Sequence, residues 1–354
     1  MSYFVVVPGA LVPTPIASPL LARAKVPRLM RFLQHAKAEP LQFYTGDGAA
    51  HLDWLWTKFG GDDNSPVTAP YAWRVLDRSP GAETMAATSE LPIWHADPVH
   101  FAFARDHMLV VALDAEAAVS VDESRELSAS AAAVAEEFGA TLRALDPRHW
   151  FISFDPAWRL KTIAYDAALG RSAQHVLPEG EAAARWRKLL NEIQMRWHQH
   201  PINEQRDAQG VRTINGLWLH GGGLWRALPK RPFDAVATNN ATVRGWALAS
   251  GLAPTALLAS DVKPASAGSA LVYYEGLLNA ARLEDWDGWL EAIAGFDNAV
   301  DEHVTHALAQ GSAAVTLVLA GRAHVRSIVL RRSDRLRLWR TNTLVDLLCE
   351  PERT

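Results

Sequence analysis

Cysteine is almost missing from this chain: Cys349 is the single thiol in 354 residues. One thiol cannot close an internal disulfide. The stapled framework of small secreted domains is therefore excluded, as is a zinc site built on several thiolates. Long apolar runs are missing too, since no window approaches the roughly 18–20 uninterrupted apolar residues of a membrane span. The apolar stretch at the start is broken by Pro8, Pro13, Pro15 and Pro19, and its first cation is Arg23. A secretory leader wants a basic segment ahead of an unbroken apolar run. Positive charge is not in excess, because 35 Lys and Arg against 39 Asp and Glu leave −4. No global field then draws nucleic acid or an anionic membrane. The common catalytic signatures are also absent: no GxSxG elbow, no GxGxxG after a strand, no HExxH. The expectation is a cytoplasmic protein with neither nucleic acid nor membrane as partner.

What is present is a globular composition. Apolar residues at 49% and charged residues at 21% match folded soluble domains, and the length suggests two domains at roughly 150 residues each. Tryptophan is in excess, with 14 residues. Its large area and single donor suit either a bulky core or a ligand wall, and composition does not choose.

Along the chain, Tyr3 to Val7 reads as a buried strand closed by Pro8-Gly9. Pro19 to Lys37 reads as a helix, and residues 45–92 as short helices and loops. From about Leu91 the texture changes. A hairpin is expected from Val99–Phe103 and Met108–Leu113 around Arg105-Asp106, then a helix Ser124–Leu145, a strand Trp150–Phe154 and a helix over 180–200. Beyond it strands at 235–238, 270–274, 314–319, 327–330 and 336–339 alternate with helices at 242–250 and 285–310, the latter closed by Gly311. Alternation of this kind predicts an α/β fold with a mostly parallel sheet flanked by helices. A smaller α+β insert, residues 92–224, interrupts a core made of residues 1–91 and 225–354.

The richest stretch for chemistry is NEIQMRWHQHPINEQRDAQGVRTINGLWLHGGG, residues 191–223. Asn191, Gln194 and His198 recur at helical steps and form one polar line, apart from the apolar face of Trp186, Leu189, Leu190, Ile193 and Trp197. Such a line is either a buried seam, a ligand-recognition face or, less readily, a metal site. Pro201 is read as stopping the helix just after His200, which places Asn203 and Arg206 in a loop. Arg206 then offers a planar fork to a carboxylate or phosphate, or pairs with Glu204 or Asp207. Ile214–Leu219 reads as a strand running into a glycine loop, Gly221-Gly222-Gly223, flanked by Asn215, Trp218 and His220. Backbone N–H groups there could approach an anion, although no Gly-Lys-Ser/Thr follows. A second cluster, HADPVH, brings His95, Asp97 and His100 within six residues. It reads as a ligand contact, a structural joint or a metal site, and these three are the weak catalytic candidates. His303 and His306 read as core or solvent-face residues, and RRSDRLRLWR (331–340) as a solvated edge.

These motifs carry a family resemblance. HPINEQRDAQG followed by INGLWLHGGG resembles the HPVN-x-x-R … G … N-x-LWLWG-G signature of the RpfE-type regulatory proteins of proteobacteria, and HADPVH resembles their ADPVH motif. That family in turn looks like a divergent, bacterial branch of the archaeal-type cofactor-independent phosphoglycerate mutases, within the alkaline-phosphatase-like superfamily. The resemblance implies an alkaline-phosphatase-like core interrupted by an insert. It also implies that His200, Asn203, Arg206, Asn215, Gly221 and Gly223 lie on the insert's substrate-facing side.

The departures from the mutase pattern matter as much. Where the mutases run their first strand into an Asp-Gly pair that binds metal, this chain has Pro8-Gly9. Asn279 and Arg282 stand where an acid and an imidazole are expected, and Gly321-Arg322 stands in place of an Asp-His pair, with only His324 nearby. Two-metal phosphoryl transfer needs several carboxylate or imidazole ligands. Arg282 would repel a dication and could face an anion itself. The expectation is a pseudoenzyme without metal or cofactor. It would bind a phosphorylated or carboxylated small molecule in an interdomain cleft, in a regulatory role, through Asn191, Gln194, His198, His200, Asn203, Arg206, Asn215, Trp218, His220, Gly221, Gly223 and Arg282. Two alternatives stay open: an active mutase- or phosphatase-type enzyme rebuilt around His95, Asp97 and His100, and a protein-interaction module whose partner is another protein or a second copy of the chain.

Overall fold

The valine-rich run at the start forms β1 (Ser2–Pro8), flanked on both sides by parallel partners. Its unbroken apolarity is that of a strand buried on both faces. The computed structural model describes residues 2–44, 48–62, 65–77, 91–104, 107–113, 117–172, 176–257, 268–309, 314–331, 333–334 and 341–351. They fall into two units, residues 1–64 with 227–354, and residues 65–226.

The larger unit runs from β1 through β2 (Val12–Pro13), α1 (Thr14–Arg23), α2 (Pro27–Leu33), β3 (Lys37–Ala38), β4 (Gln42–Phe43) and α3 (Ala50–Phe59). The smaller unit holds α4 (Ala69–Leu76), β5 (Ile93–Ala104), β6 (His107–Val111), α5 (Val121–Glu137), β7 (Thr141–Asp146), β8 (His149–Ser153), α6 (Tyr165–Ala168), α7 (Ala183–His198), α8 (Pro201–Ala208) and β9 (Gly216–Gly223). The larger unit resumes with β10 (Ala235–Ala237), α9 (Ala241–Ala249), β11 (Ser269–Tyr273), α10 (Leu278–Leu283), α11 (Trp286–Ala309), β12 (Ala314–Ala320), β13 (His324–Leu330), α12 (Leu344–Leu348) and β14 (Cys349–Glu350). The fold is mixed α/β.

In the larger unit the sheet order is β10-β11-β1-β12-β13, with β3 and β4 both on β13. The first four strands are parallel and β13 is antiparallel to β12. Trp289, Ile293, Phe296, Val300 and Val304 of α11 recur at steps of three and four and pack with Leu20, Leu29 and Leu33 against Val5, Val7, Leu317 and Leu319. Phe4 and Val6 alternate with Val5 and Val7, so they face the other way, and Phe4 meets Trp54 of α3 and Phe233. Trp56 of α3 also meets Trp246 of α9.

In the smaller unit an antiparallel sheet is ordered β6-β5-β8-β7, with β9 also on β5. Helices α5 and α7 supply Leu127, Ala131, Trp186, Leu189, Ile193 and Trp197 to its core. Two of the indoles there are satisfied by direct hydrogen bonds: Trp150 donates to Ser124 Oγ and Trp197 to the Leu127 carbonyl. Of the 14 tryptophans, 13 lie among the described residues and 11 of these are buried, so the excess of this residue is chiefly core.

Several local expectations change. The helix over 19–37 is two helices. Pro27 lacks an N–H and opens α2 as its first residue, and Val26 before it leaves helical dihedrals at φ −130°, ψ 56°. The helix expected over 124–145 is α5. It starts earlier, at a capping box of Ser120 and Glu123, and gives way at Gly139, φ +70°, to β7. Pro201 does not lead into a loop. It is the first residue of α8, where a missing N–H costs nothing. The turn at Arg105-Asp106, the closing Gly311, the strand at 336–339 and the side chains of His303 and His306 lie outside the described residues. No helix among the described residues is long and apolar enough to cross a membrane.

Candidate functional site

The pairing of β5 with β9 builds a polar cluster in the smaller unit. His95 lies directly opposite His220, and Asp97 opposite Trp218. Side chains alternate along a strand, so His95 and Asp97 share one face and His220 joins them from across the ladder. His220 Nε2 stands 2.8 Å from Asp97 Oδ2. The His95 and His220 rings stack, with centroids 4.6 Å apart and planes at 17°.

A bulge sets this register. Ile93 pairs with Gly223 and His95 with His220, so Gly221 and Gly222 together oppose Trp94. Gly221 takes φ +61°, the left-handed first residue of a G1 bulge. A Cβ on Gly222 would overlap the Trp94 ring, and one on Gly221 would overlap Thr68 Oγ1. The glycine triplet expected as an anion-cradling loop is therefore the end of strand β9, and its glycines make room for side chains and redirect the strand. Thr68 N–H donates to the Gly221 carbonyl and ties the entry of α4 to the bulge.

Aromatic rings surround the cluster. Phe151 of β8 lies 5.0 Å from His95 and meets Trp73 of α4 edge-on, while Tyr165 stacks on His220 at 6.2 Å. His149, held by Asp146 at 2.7 Å, is close enough to act electrostatically on both His95 and Asp97. Burial lowers the His95 imidazolium pKa to about 3, and the neighbouring His220 and His149 push the same way against the opposing pull of Asp97. Burial alone would raise the Asp97 carboxyl, but the imidazoles of His220, His95 and His149 outweigh it and hold the group below its ordinary value. At neutral pH the cluster therefore joins a neutral imidazole to an ionised carboxylate.

Other predicted residues are placed differently. His100 is not in the cluster: its Nδ1 lies 2.8 Å from the Thr213 carbonyl oxygen. Arg206 is buried on α8, not in a loop. Its Nε donates to the Arg212 carbonyl, one terminal nitrogen to Glu123 Oε1 at 2.8 Å and the other to the Ala117 carbonyl. That network, not Glu204 or Asp207, is its partner set. Asn203 donates to the carbonyls of Trp197 and Ile214 and accepts from Ile214 N–H. Asn215 is clasped by the Phe101 backbone, and Gln194 donates to the Asn215 carbonyl. Trp218 donates to the Ile163 carbonyl. His200 caps α8 by accepting from Ile202 N–H. Asn191 and His198 are exposed on α7, and Gly223 pairs with Ile93. The polar line on α7 is thus a solvated edge at its ends and a structural bond at Gln194. Sequence reading named His220 for its glycine neighbours and missed His149 altogether. The alternation of HAD against LWLH was the usable signal.

In the larger unit, side chains from elsewhere in the chain bond the backbone just beyond β1 and β12. Trp289 donates its indole N–H to the Gly9 carbonyl at 2.8 Å. Glu350, buried, accepts from the backbone N–H groups of Arg322, Ala323 and His324, and its Oε1 lies 3.2 Å from His324 Nδ1. Arg322 pairs with Glu284 at 2.8 Å in an exposed ion pair. Arg282 is half-buried on α10.

No family model matches the chain, and no curated protein sequence matches it significantly. Among solved structures, the PH0037 protein from Pyrococcus horikoshii is similar over 93% of this chain and 87% of its own, with 14% identity and a TM-score of 0.51. A cofactor-independent phosphoglycerate mutase from Thermoplasma acidophilum DSM 1728 aligns over 94% of this chain and 90% of its own, with 12% identity and a TM-score of 0.38. The first likeness is one of fold alone. The second is too remote to carry an argument.

Proposed function

We propose that this chain is a binding protein of the RpfE-like regulatory kind, on a mutase-like, alkaline-phosphatase-type frame. In it the two-metal phosphoryl-transfer centre is gone, and a phosphorylated or carboxylated small molecule is recognised instead. The supporting observation is the carboxyl edge of the parallel strands in the larger unit. Open α/β sheets hold their ligands at that edge. There β1 ends in Pro8-Gly9, β11 leads on to Asn279 and Arg282, and β12 ends beside Gly321-Arg322. Hard divalent ions need a set of carboxylates and imidazoles. Of the acids at this edge, Glu350 is engaged by three backbone N–H groups and His324, and Glu275, just past β11, accepts from the Asn240 side-chain amide. Two guanidinium groups disfavour a dication and suit an anion. Arg322 gives up little to bind one, because its partner Glu284 is largely exposed and such pairs are worth about 1 kcal/mol or less.

Thermal melts of the purified chain with phosphorylated and carboxylated metabolites test the reading, alongside turnover of 3-phosphoglycerate with Mn2+ or Zn2+. A ligand that binds only the folded state raises the melting temperature. The expected result is such a rise, lost in the Arg282→Ala, Arg322→Ala double variant, with no turnover. Metal-dependent mutase turnover, or no shift with any compound of either class, would refute it.

A further inference from the structure

We propose that His95, Asp97 and His220 form a three-ligand site for one divalent transition-metal ion, contained wholly in the smaller unit. One ligand atom from each residue lies within 4.8 Å of the others. Around a tetrahedral ion with bonds of about 2.0–2.2 Å, donors stand roughly 3.3–3.5 Å apart. Side-chain movements of about 1 Å therefore gather the set.

The backbone already supplies the convergence. His95 and His220 are direct cross-strand neighbours, and Asp97 is diagonal to His220 on the same face. The two imidazoles stack face to face, so one ring must turn about its Cβ–Cγ bond to aim both nitrogens at a common point. The bulge at Gly221 and Gly222 gives that register its local kink, a device often found beside sites.

His95 is only 7% exposed and packs against the rings of Phe151 and His220, which holds its imidazole beside the other two donors. The donor set is two imidazoles and one carboxylate. That set suits zinc, cobalt or ferrous iron, and is poor for magnesium or calcium, which prefer oxygen donors throughout. Three protein ligands leave at least one position for water or a substrate atom. Phe151 and Tyr165 form apolar walls around it. The site lies in a different unit from the arginine-bearing edge and does not depend on the anion reading.

Metal-stripped full-length protein is titrated with Co2+ and followed by visible absorption. In parallel, Zn2+-loaded protein is gel-filtered and its metal counted by mass spectrometry. One Co2+ per chain with the ligand-field bands of a four- or five-coordinate ion is expected, and one retained Zn2+ that excess Mg2+ does not displace. His220→Ala and Asp97→Ala should each weaken Zn2+ binding on the order of a hundredfold or more, while His198→Ala, on the exposed face of α7, leaves it unchanged. If the cluster variants fail to fold, X-ray absorption of the Zn2+-loaded native protein decides: two imidazoles plus an oxygen donor support the site. No stoichiometric Zn2+ in the native protein, full retention in His220→Ala, or a shell lacking two imidazoles overturns it.

Discussion

Replacing Arg206 by methionine keeps the volume of the side chain and deletes its charge, which separates a structural arginine from a ligand-binding one. The guanidinium is 5% exposed and bonds Glu123 and the carbonyls of Arg212 and Ala117. Removing one member of a buried ion pair typically costs about 3–5 kcal/mol. Glu123 remains 22% exposed and is still held by the Ser120 N–H at 2.8 Å, so water and the cap relieve part of the loss. Two carbonyls are left short of a donor at about 1 kcal/mol each. The net expectation is about 3–4 kcal/mol for Arg206→Met and about 1 kcal/mol for Glu123→Gln, which keeps the cap geometry. A double-mutant cycle should then return a coupling of about 1–2 kcal/mol. Hydrogen exchange of peptides from α5 and α8 reads the opening free energy where the pair acts, without assuming that both units unfold together. Arg206→Met within about 1 kcal/mol of the native protein, combined with loss of a metabolite-induced melting shift, would refute the structural assignment.

The remaining predictions concern the bulge, pH and the carboxyl-terminal strand. Gly222→Ala drives a methyl into the Trp94 ring and should cost about 1–3 kcal/mol in urea melts, whereas Gly139→Ala meets open space and pays only for its positive φ, about 1 kcal/mol. The native state holds His95 near pKa 3 against 6.5 unfolded, so between those values the unfolded chain binds more protons. Stability is then full above about pH 6.5 and falls by a few kcal/mol as pH drops toward 3, and Asp97, also lowered, adds a loss below about pH 4. Metal-free protein melted in a pH series checks this, and an unchanged slope in His95→Asn would contradict the assignment. Glu350→Gln removes the charge from the acceptor of three backbone N–H groups and should lower stability by about 1–3 kcal/mol, read as faster exchange at residues 322–324.

Much of the fold was legible because it rests on local patterning. The valine run of β1, the stripe Trp289–Ile293–Phe296–Val300–Val304 of α11 and the apolar face of α7 all declare their period in the chain. What misled was punctuation with two meanings. Pro201 can end one helix or open the next, and the structure uses it to open α8 after a two-residue break at Gln199-His200. Glycines 221–223 can cradle an anion or clear space for Trp94 and Thr68, and only the partner across the ladder decides between them. The polar cluster was hidden for a related reason. His95 and Asp97 were visible as a pair, but His220 reaches them across more than a hundred residues of chain, and His100 was the nearer and wrong third member. Arg206 looked like a ligand fork because Glu123, its actual partner, lies 83 positions away.

Native mass spectrometry of freshly purified protein, with metal content determined on the same sample, tests the central claim most directly. The expected result is a chain carrying no paired metal ions, at most one transition-metal ion, and a phosphorylated or carboxylated metabolite that Arg282→Ala with Arg322→Ala releases. Two ions per chain together with metal-dependent turnover of 3-phosphoglycerate would contradict it.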